Sequence, residues 1–300
     1  MTISRRTFIA AGAAALAAPR WSVAETQIGG LTLQTVSDGS LMLPGDFIFA
    51  PVPADVAGPV RAAYGLQGDT LTPPCNVTLL RGEGRVILFD AGSGPAFQPS
   101  AGSLLDALDA AGVAPEDVTH VVFTHGHPDH LWGCLDDFDE PVFAEAEHLM
   151  GQLEFEYWTD PATVDGIGAE RQAFAVGAAR RLETIADRMT FFEDGAEVLP
   201  GITAVHTPGH TPGHMSFALS SGGDSALILG DAIGNHHISF AHPGVTVGSD
   251  QDMAQAAATR LRLFDRLTAD DMRLVGFHLP EGGIGRAERS GEGYRFVAEA

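Results

Sequence analysis

The sequence predicts an α/β (α+β) protein, a mixed sheet with helices packed outside it. Three patterns say so: short apolar, β-branched runs recur along the chain, stretches at helical spacing separate them, and no tandem repeat or dividing linker interrupts the whole. Residues 31–36 and 77–80 read as strands, and Arg85-Val86-Ile87-Leu88-Phe89 is a third. The turn Gly82-Glu83-Gly84 between the last two predicts a hairpin. Residues 41–74 are rich in proline and glycine and carry Phe47, Phe49 and Tyr64, so a long ordered loop is expected there. Residues 103–111 place Leu104, Leu105 and Leu108 at helical spacing, and Gly112 stops that helix. Val121-Val122-Phe123 is the next strand, and residues 145–188 read as largely helical with a break around 161–168. Strands are then expected at 202–206, 215–219 and 226–229, a helix at 252–267, and short strands at 274–277 and 294–297.

Three hundred residues with 45% hydrophobic content are enough to bury a substantial core. The first residues are a separate matter. Ser4-Arg5-Arg6-Thr7-Phe8-Ile9 is a twin-arginine pattern, residues 10–18 are small and apolar, and Ser22-Val23-Ala24 offers a cleavage site. The apolar stretch is too short for a bilayer of about 30 Å. Residues 1–24 are therefore expected to be a signal peptide, removed on export to a bacterial periplasm by the twin-arginine route. No stable membrane insertion is expected after that cleavage.

The formal charge is −22, and all 17 basic residues are arginine. Such a surface repels polyphosphate, which argues against nucleic acid and anionic membranes as partners and leaves a small-molecule substrate. The oligomeric state is left open, a homodimer being one option. The two cysteines, Cys75 and Cys134, form no C-x-x-C pair, so zinc held by paired cysteines is not expected. An oxidising compartment would allow a disulfide between them, although unpaired burial is the commoner state.

The most informative segment is Thr124-His125-Gly126-His127-Pro128-Asp129-His130, directly after the strand at 121–123. Imidazole and carboxylate donors at this density suit zinc and other borderline first-row metals, and a strand end holds them on rigid scaffolding. A second pattern, His206-Thr207-Pro208-Gly209-His210-Thr211-Pro212-Gly213-His214, follows another strand, and its two Pro-Gly pairs force tight turns. The third, Leu227-Ile228-Leu229-Gly230-Asp231, ends a buried-looking strand in a carboxylate. The fourth, Gly276-Phe277-His278-Leu279-Pro280, sets one histidine after an apolar strand. Alone His278 would read as a core or surface histidine; beside three other strand-end donors it reads as a ligand.

These four patterns, in this order, resemble the H-x-H-x-D-H, H-T-P-G-H and G-D signatures of the metallo-β-lactamase superfamily, from His125 to His278. The resemblance implies a four-layer αββα sandwich over residues 25–300, one domain with a helical insertion around 145–188. It implies two divalent metal ions, zinc first and manganese, iron or cobalt as alternatives. His125, His127 and His210 would hold one ion, Asp129, His130 and His278 the other, with Asp231 bridging them and Asp129 and Asp231 as the catalytic carboxylates. His206 and His214 fall outside the ligand positions, and structural roles are expected for them. The tail from Phe277 through Gly283-Ile284-Gly285 to Gly293-Tyr294-Arg295-Phe296-Val297 is similar to that of methyl parathion hydrolase-like secreted enzymes, as is Val36-Ser37-Asp38-Gly39 with Leu43-Pro44.

The chemistry so implied is metal-assisted hydrolysis. Ions about 3.5–4 Å apart share a bridging hydroxide and lower the pKa of water from 15.7 toward about 7. A neutral ester, lactone or phosphotriester suits an acidic protein with an apolar mouth, which Phe47, Phe49, Phe155, Tyr157 and Trp158 could line, although each taken singly reads first as ordinary core packing. Asp231 argues against a true β-lactamase, which lacks the bridging carboxylate. Acyl-homoserine lactonases place a tyrosine three residues beyond that aspartate, where this chain has Gly234. Asn235, His236 and His237 follow, either as a proton donor to the leaving group or as surface residues of a turn. Two readings compete with hydrolysis: a persulfide dioxygenase-like oxidoreductase with one iron, and a non-catalytic periplasmic binding protein on the same fold.

Overall fold

Alternation of apolar side chains along the strands puts a buried face on both sides of each sheet, and the architecture follows from that. In the computed structural model, which describes residues 22–66 and 70–299, Leu80, Ile87, Phe89 and Val122 point one way and Leu79, Leu88, Val121 and Phe123 the other. The first sheet has seven strands in the order Ser22–Ile28, Leu31–Ser40, Pro74–Gly82, Arg85–Phe89, His120–Phe123, Glu147–Gly151 and Met189–Phe192. Its first four strands pair antiparallel and its last four run parallel. The second sheet also has seven, in the order Glu197–Leu199, Ile202–His206, Met215–Ser221, Asp224–Ile228, Arg273–Val275, Ile284–Ser290 and Gly293–Ala298. All its pairs are antiparallel except Asp224–Ile228 with Arg273–Val275.

The inner faces of the two sheets meet through Leu33, Ile87, Phe89, Val122, Phe217 and Ile228. Helices Leu104–Ala110 and Gln172–Ile185 cover the outer face of the first sheet through Leu104, Leu108, Ala178 and Leu182. Helix Met253–Ala269 covers the second sheet through Leu263, Phe264 and Leu267 against Leu227 and Leu274. The layers are thus helix, sheet, sheet, helix, the αββα sandwich that the motifs imply. Strands His120–Phe123, Ile202–His206, Asp224–Ile228 and Arg273–Val275 all deliver their C-terminal ends, and the motif residues that follow, to one edge of the sandwich.

Several elements depart from the expectation. The stretch read as a long loop at 41–74 contains helices Gly45–Phe49 and Ala54–Ala63 and the two-stranded ribbon Leu43–Pro44 with Thr70–Leu71. Pro53 caps the second helix and Pro59 lies inside it, so the residues that suggested a loop are accommodated within helical structure. Residues 147–151, read as helical, form a strand because they sit between two parallel neighbours that supply both ladders. The expected break at 161–168 holds the short helix Pro161–Gly166, whose N-terminus is capped by Asp160 Oδ1 accepting from Ala162 N at 2.9 Å. Strands Ser22–Ile28, Met189–Phe192, Glu197–Leu199 and Ile284–Ser290 carry no strand expectation from the sequence. The twin-arginine segment lies outside the described residues, while Ala24, at the expected cleavage site, pairs with Thr35. Cys75 and Cys134 are both buried and unbridged. Among the described residues no helix is long and apolar enough to cross a membrane.

Strand Glu147–Gly151 carries a buried histidine. His148 is fully enclosed and stacks on Phe123 with ring centroids 6.1 Å apart. Burial, aided by Arg188, pushes its pKa from 6.5 down to about 4. Above pH 6.5 both folded and unfolded chains hold it neutral. Below 6.5 the unfolded chain takes up a proton that the folded one refuses until about pH 4, so stability falls across that window as pH drops. His148→Leu should therefore gain on the wild type by about 2–3 kcal/mol between pH 7.5 and pH 4.5 in urea titrations. Parallel stability curves for the two proteins would refute the assignment.

Candidate metal centre

Each motif turns sharply out of its strand, and glycines make the turns possible. Gly230 takes φ +52°, and a Cβ there would lie 2.7 Å from His214 Nε2 and 2.9 Å from Thr124 Cβ. A Cβ on Gly126 would meet the Trp158 indole at 2.4 Å. With these positions bare, the chain packs the donors of four separate strand ends into one buried cluster.

Three imidazoles face one another on one side. His125 Nε2 lies 3.0 Å from His127 Nδ1, which lies 2.8 Å from His210 Nε2. On the other side His278 Nε2 is 3.1 Å and His130 Nε2 3.4 Å from Asp129 Oδ2. Asp231 sits between the groups: Oδ2 is 3.3 Å from His210 Nε2 and 3.4 Å from His278 Nε2, and Oδ1 is 3.4 Å from His130 Nε2. All seven residues predicted as ligands are brought together, and each is less than a tenth exposed.

The residues around them fix which atom of each ligand faces the centre. Asp90 Oδ2 accepts from His130 Nδ1 at 2.7 Å, Asp250 Oδ1 from His210 Nδ1 at 3.1 Å, and the Pro74 carbonyl from His278 Nδ1 at 2.8 Å. His125 Nδ1 contacts Thr124 Oγ1 at 3.0 Å, and that hydroxyl donates to Asp90 Oδ2 at 2.8 Å. Asp250 is anchored in turn by Arg260 Nη1 at 2.7 Å. With Nδ1 so occupied, His125, His130, His210 and His278 turn Nε2 inward. Asp90 takes φ +72°, a left-handed conformation uncommon for a side-chain-bearing residue, and it does so at the strand end where its carboxylate is needed.

The protonation tendencies fit a cation. Burial and the neighbouring imidazoles hold His125 and His127 well below the ordinary histidine value, so they are neutral donors. Burial disfavours charge on Asp231, but His278, His130 and His210 outweigh it and keep its carboxyl far below the usual range. Burial likewise opposes charge on His130 and His278, yet the surrounding carboxylates raise both well above 6.5. The cluster therefore draws positive charge to its middle. Asp129 Oδ2, His130 Nε2 and Asp231 Oδ1 are buried there with no aligned hydrogen-bond partner among the described residues. Three such atoms at about 1–3 kcal/mol apiece are a heavy cost without a cation to satisfy them. The donor set fits two divalent ions.

Residues 70–278 match the family model of the Metallo-beta-lactamase superfamily. The chain belongs to that superfamily. It is similar to Metallo-beta-lactamase domain-containing protein 1 of Xenopus laevis, 42% identical over 83 residues, 28% of this chain and 31% of that protein. The same protein of Homo sapiens is 33% identical over 142 residues, 39% of this chain and 52% of that one. The chain thus spans 31% and 52% of the length of these two curated relatives. Among solved structures, the dizinc quorum-quenching lactonase AidC in complex with a product superposes with a TM-score of 0.87 at 23% identity, over 94% of this chain and 99% of that one. The hydrolase AbOPH of the beta lactamase superfamily superposes with a TM-score of 0.84 at 26% identity, over 92% and 97%. Membership in the superfamily together with the donor cluster supports the use of divalent metal ions at this edge of the sandwich.

Other superfamily motif residues take structural places. His214 Nε2 accepts from Asp231 N at 3.0 Å and its Nδ1 meets Thr207 Oγ1 at 2.8 Å, while His206 Nε2 meets the Pro212 carbonyl at 3.0 Å. Asp38 Oδ2 and Oδ1 accept from Ser93 N and Leu104 N at 2.8 and 2.9 Å, tying down the loop before helix Leu104–Ala110. Sequence reasoning missed Asp90, Asp250 and Glu154. Glu154 is fully buried and accepts from Gly126 N, Trp158 Nε1, Thr211 Oγ1 and Gly213 N at 2.6–2.9 Å, clamping the two loops that carry the first three imidazoles. Aspartate directly after the Arg85–Phe89 strand was the one visible hint for Asp90.

The apolar mouth is real but differently built. A cleft of about 660 Å³ opens onto His127, Asp129, His210, Asp231 and His278. Of the five candidate aromatics, Phe47 alone lines it, joined by Phe97, Phe174, Leu41, Ile48 and Leu71. Trp158 instead packs edge-on behind His127 with centroids 5.5 Å apart. Phe155 pairs with Phe191, Phe49 is in a core cluster, and Tyr157 Oη donates to Gln251 at 2.6 Å. Asn235, His236 and His237 do line the cleft.

Asp231→Ala should lower bound metal from two ions to one or fewer and turnover at least about a hundredfold, with the far-ultraviolet circular dichroism unchanged. Retention of two ions and full turnover would sink the bridging assignment. Asp90→Asn should weaken metal binding about 10–100-fold in a chelator competition assay, because it removes the carboxylate that orients His130. Unaltered affinity would mean Asp90 serves the strand end alone.

Proposed function

We propose that the chain is a dinuclear metal-dependent hydrolase of a neutral ester, lactone or phosphotriester. The observation that carries this reading is the Asp231 carboxylate, which faces imidazoles of both donor groups at 3.3–3.4 Å. Two divalent cations, zinc first among the candidates, held by His125, His127 and His210 and by Asp129, His130 and His278 with Asp231 shared, would supply Lewis acidity and a water acidic enough to react near pH 7.

The chain's own groups do the rest. Asp90, Asp250 and the Pro74 carbonyl lock the imidazole tautomers before substrate arrives, so no reorganisation is needed during reaction. Asp129 and Asp231 form the floor of the cleft, where an ionised carboxylate accepts a hydrogen bond from the attacking water and orients it. Phe47, Phe97 and Phe174 exclude bulk water and favour an apolar group on the substrate. Gly234 lines the same cleft and brings no side chain to the leaving group. His236 and His237 are pulled below the ordinary histidine value by burial, so each offers a neutral N–H to a bound ester.

The likeness of AidC to this chain supports a lactone among the candidate substrates, and the tail similar to methyl parathion hydrolase-like secreted enzymes supports a phosphotriester. Twin-arginine export to a bacterial periplasm belongs to the same proposal, supported by Arg5-Arg6 and Ser22-Val23-Ala24. Elemental analysis beside a panel of lactones, aryl esters and phosphotriesters tests it. About two zinc-like ions per chain are expected, with turnover abolished by a chelator and restored by metal. One iron per chain with oxygen uptake would replace the reading with a dioxygenase, and tight metal without turnover with a binding protein.

A further inference from the structure

Cys75 stands where no superfamily signature quoted above puts a donor. It is the second residue of strand Pro74–Gly82, directly after the residue whose carbonyl orients His278 at 2.8 Å. One dipeptide thus fixes the imidazole and presents a sulfur beside it. Cys75 Sγ, a carboxylate oxygen of Asp129 and a ring nitrogen of His278 all lie within 4.8 Å of one another, and all three residues are buried. The ion assigned Asp129, His130, His278 and the shared Asp231 has four protein donors, and zinc sites expand to five, so a sulfur within 4.8 Å of two of those donors is placed to be the fifth. Asp129 Oδ2 is buried there without an aligned hydrogen-bond partner, a second sign that the spot is built for a cation.

We propose that Cys75 is a thiolate ligand of the ion held by Asp129 and His278, an inference that rests on the two-ion reading above. On binding, the S–H bond breaks, a metal–sulfur bond forms and the proton leaves to solvent. Full enclosure of Cys75 fits this role better than a redox one, since oxidants and alkylating agents have no path to it. Cys134 is equally buried but joins no such donor group among the described residues, which makes it the control.

The consequence is an asymmetric pair. One ion takes imidazole nitrogen from His125, His127 and His210, while the other takes sulfur as well, and soft thiolate selects zinc, cobalt or cadmium over manganese or magnesium at that half. Asp129, Asp231 and the thiolate bring three negative charges against four positive ones. The sulfur-bearing half therefore polarises a substrate oxygen less strongly than an oxygen–nitrogen site would.

Cobalt decides it. Metal-free full-length protein is titrated with Co²⁺ and followed for a near-ultraviolet thiolate-to-cobalt charge-transfer band. Two ions should bind, and the band should appear with one of them and persist in Cys134→Ala. Cys75→Ala should lack it and bind that ion at least about tenfold more weakly. Should Cys75→Ala fail to fold, the band in wild type and in Cys134→Ala still assigns Cys75, because the chain has two cysteines. Two bound cobalt ions with no such band would overturn the proposal and leave the dinuclear reading standing. No cobalt uptake at all would overturn both.

Discussion

Seven lone-pair-bearing side chains are pressed together at one edge of the sandwich, and that crowding is the constraint on which the rest depends. His125, His127 and His210 hold nitrogens 2.8–3.0 Å apart with little between them, and Asp231 is caught among His210 and two further imidazoles, His130 and His278. Neutral imidazoles at such distances repel through their lone pairs unless protons or cations intervene. The fold overcomes this with two large apolar cores and with glycine at Gly126 and Gly230, where a side chain would have no room.

Holding donors close is half of the problem; holding them in the right orientation is the other. Every imidazole that turns Nε2 inward has its far nitrogen held by a protein oxygen: Thr124, Asp90, Asp250 and Pro74. Apart from Thr124, which opens the first motif, these oxygens belong to the rigid sandwich and to the segment before helix Met253–Ala269. Substrate recognition is assigned to other parts. Phe47, Ile48 and Leu71 come from the 41–74 segment and Phe174 from helix Gln172–Ile185, so the cleft walls and the ion ligands occupy separable pieces of chain.

The ligand residues were legible because each follows an apolar run within a few positions and because their spacing is local. Residues 124–130 announce themselves without any tertiary knowledge. Their anchors were not legible: Asp90 reaches His130 across 40 positions and Asp250 reaches His210 across 40, contacts that only the folded chain creates. The 41–74 segment concealed its helices behind Gly58 and Pro59, which local propensity reads as breakers. Residues 147–151 misled in the opposite sense, since Glu147, Leu149 and Met150 favour helix in isolation. Ladder pairing on both sides overrode that preference. The aromatics at 155–158 admit two readings, mouth or core, because their bulk is visible in the sequence and their direction is not; the fold gives them packing roles.

Glu154 has a consequence of its own. Its two oxygens grip Gly126, on a turn from the first sheet, and Thr211 and Gly213, on a turn from the second. A nascent chain whose first sheet alone had formed would own His125 and His127 but not their third companion, and this acid would have half its donors. Sealing the seam between the halves and completing the nitrogen cradle are therefore one event, which makes ion capture a late step that reports a finished tertiary structure.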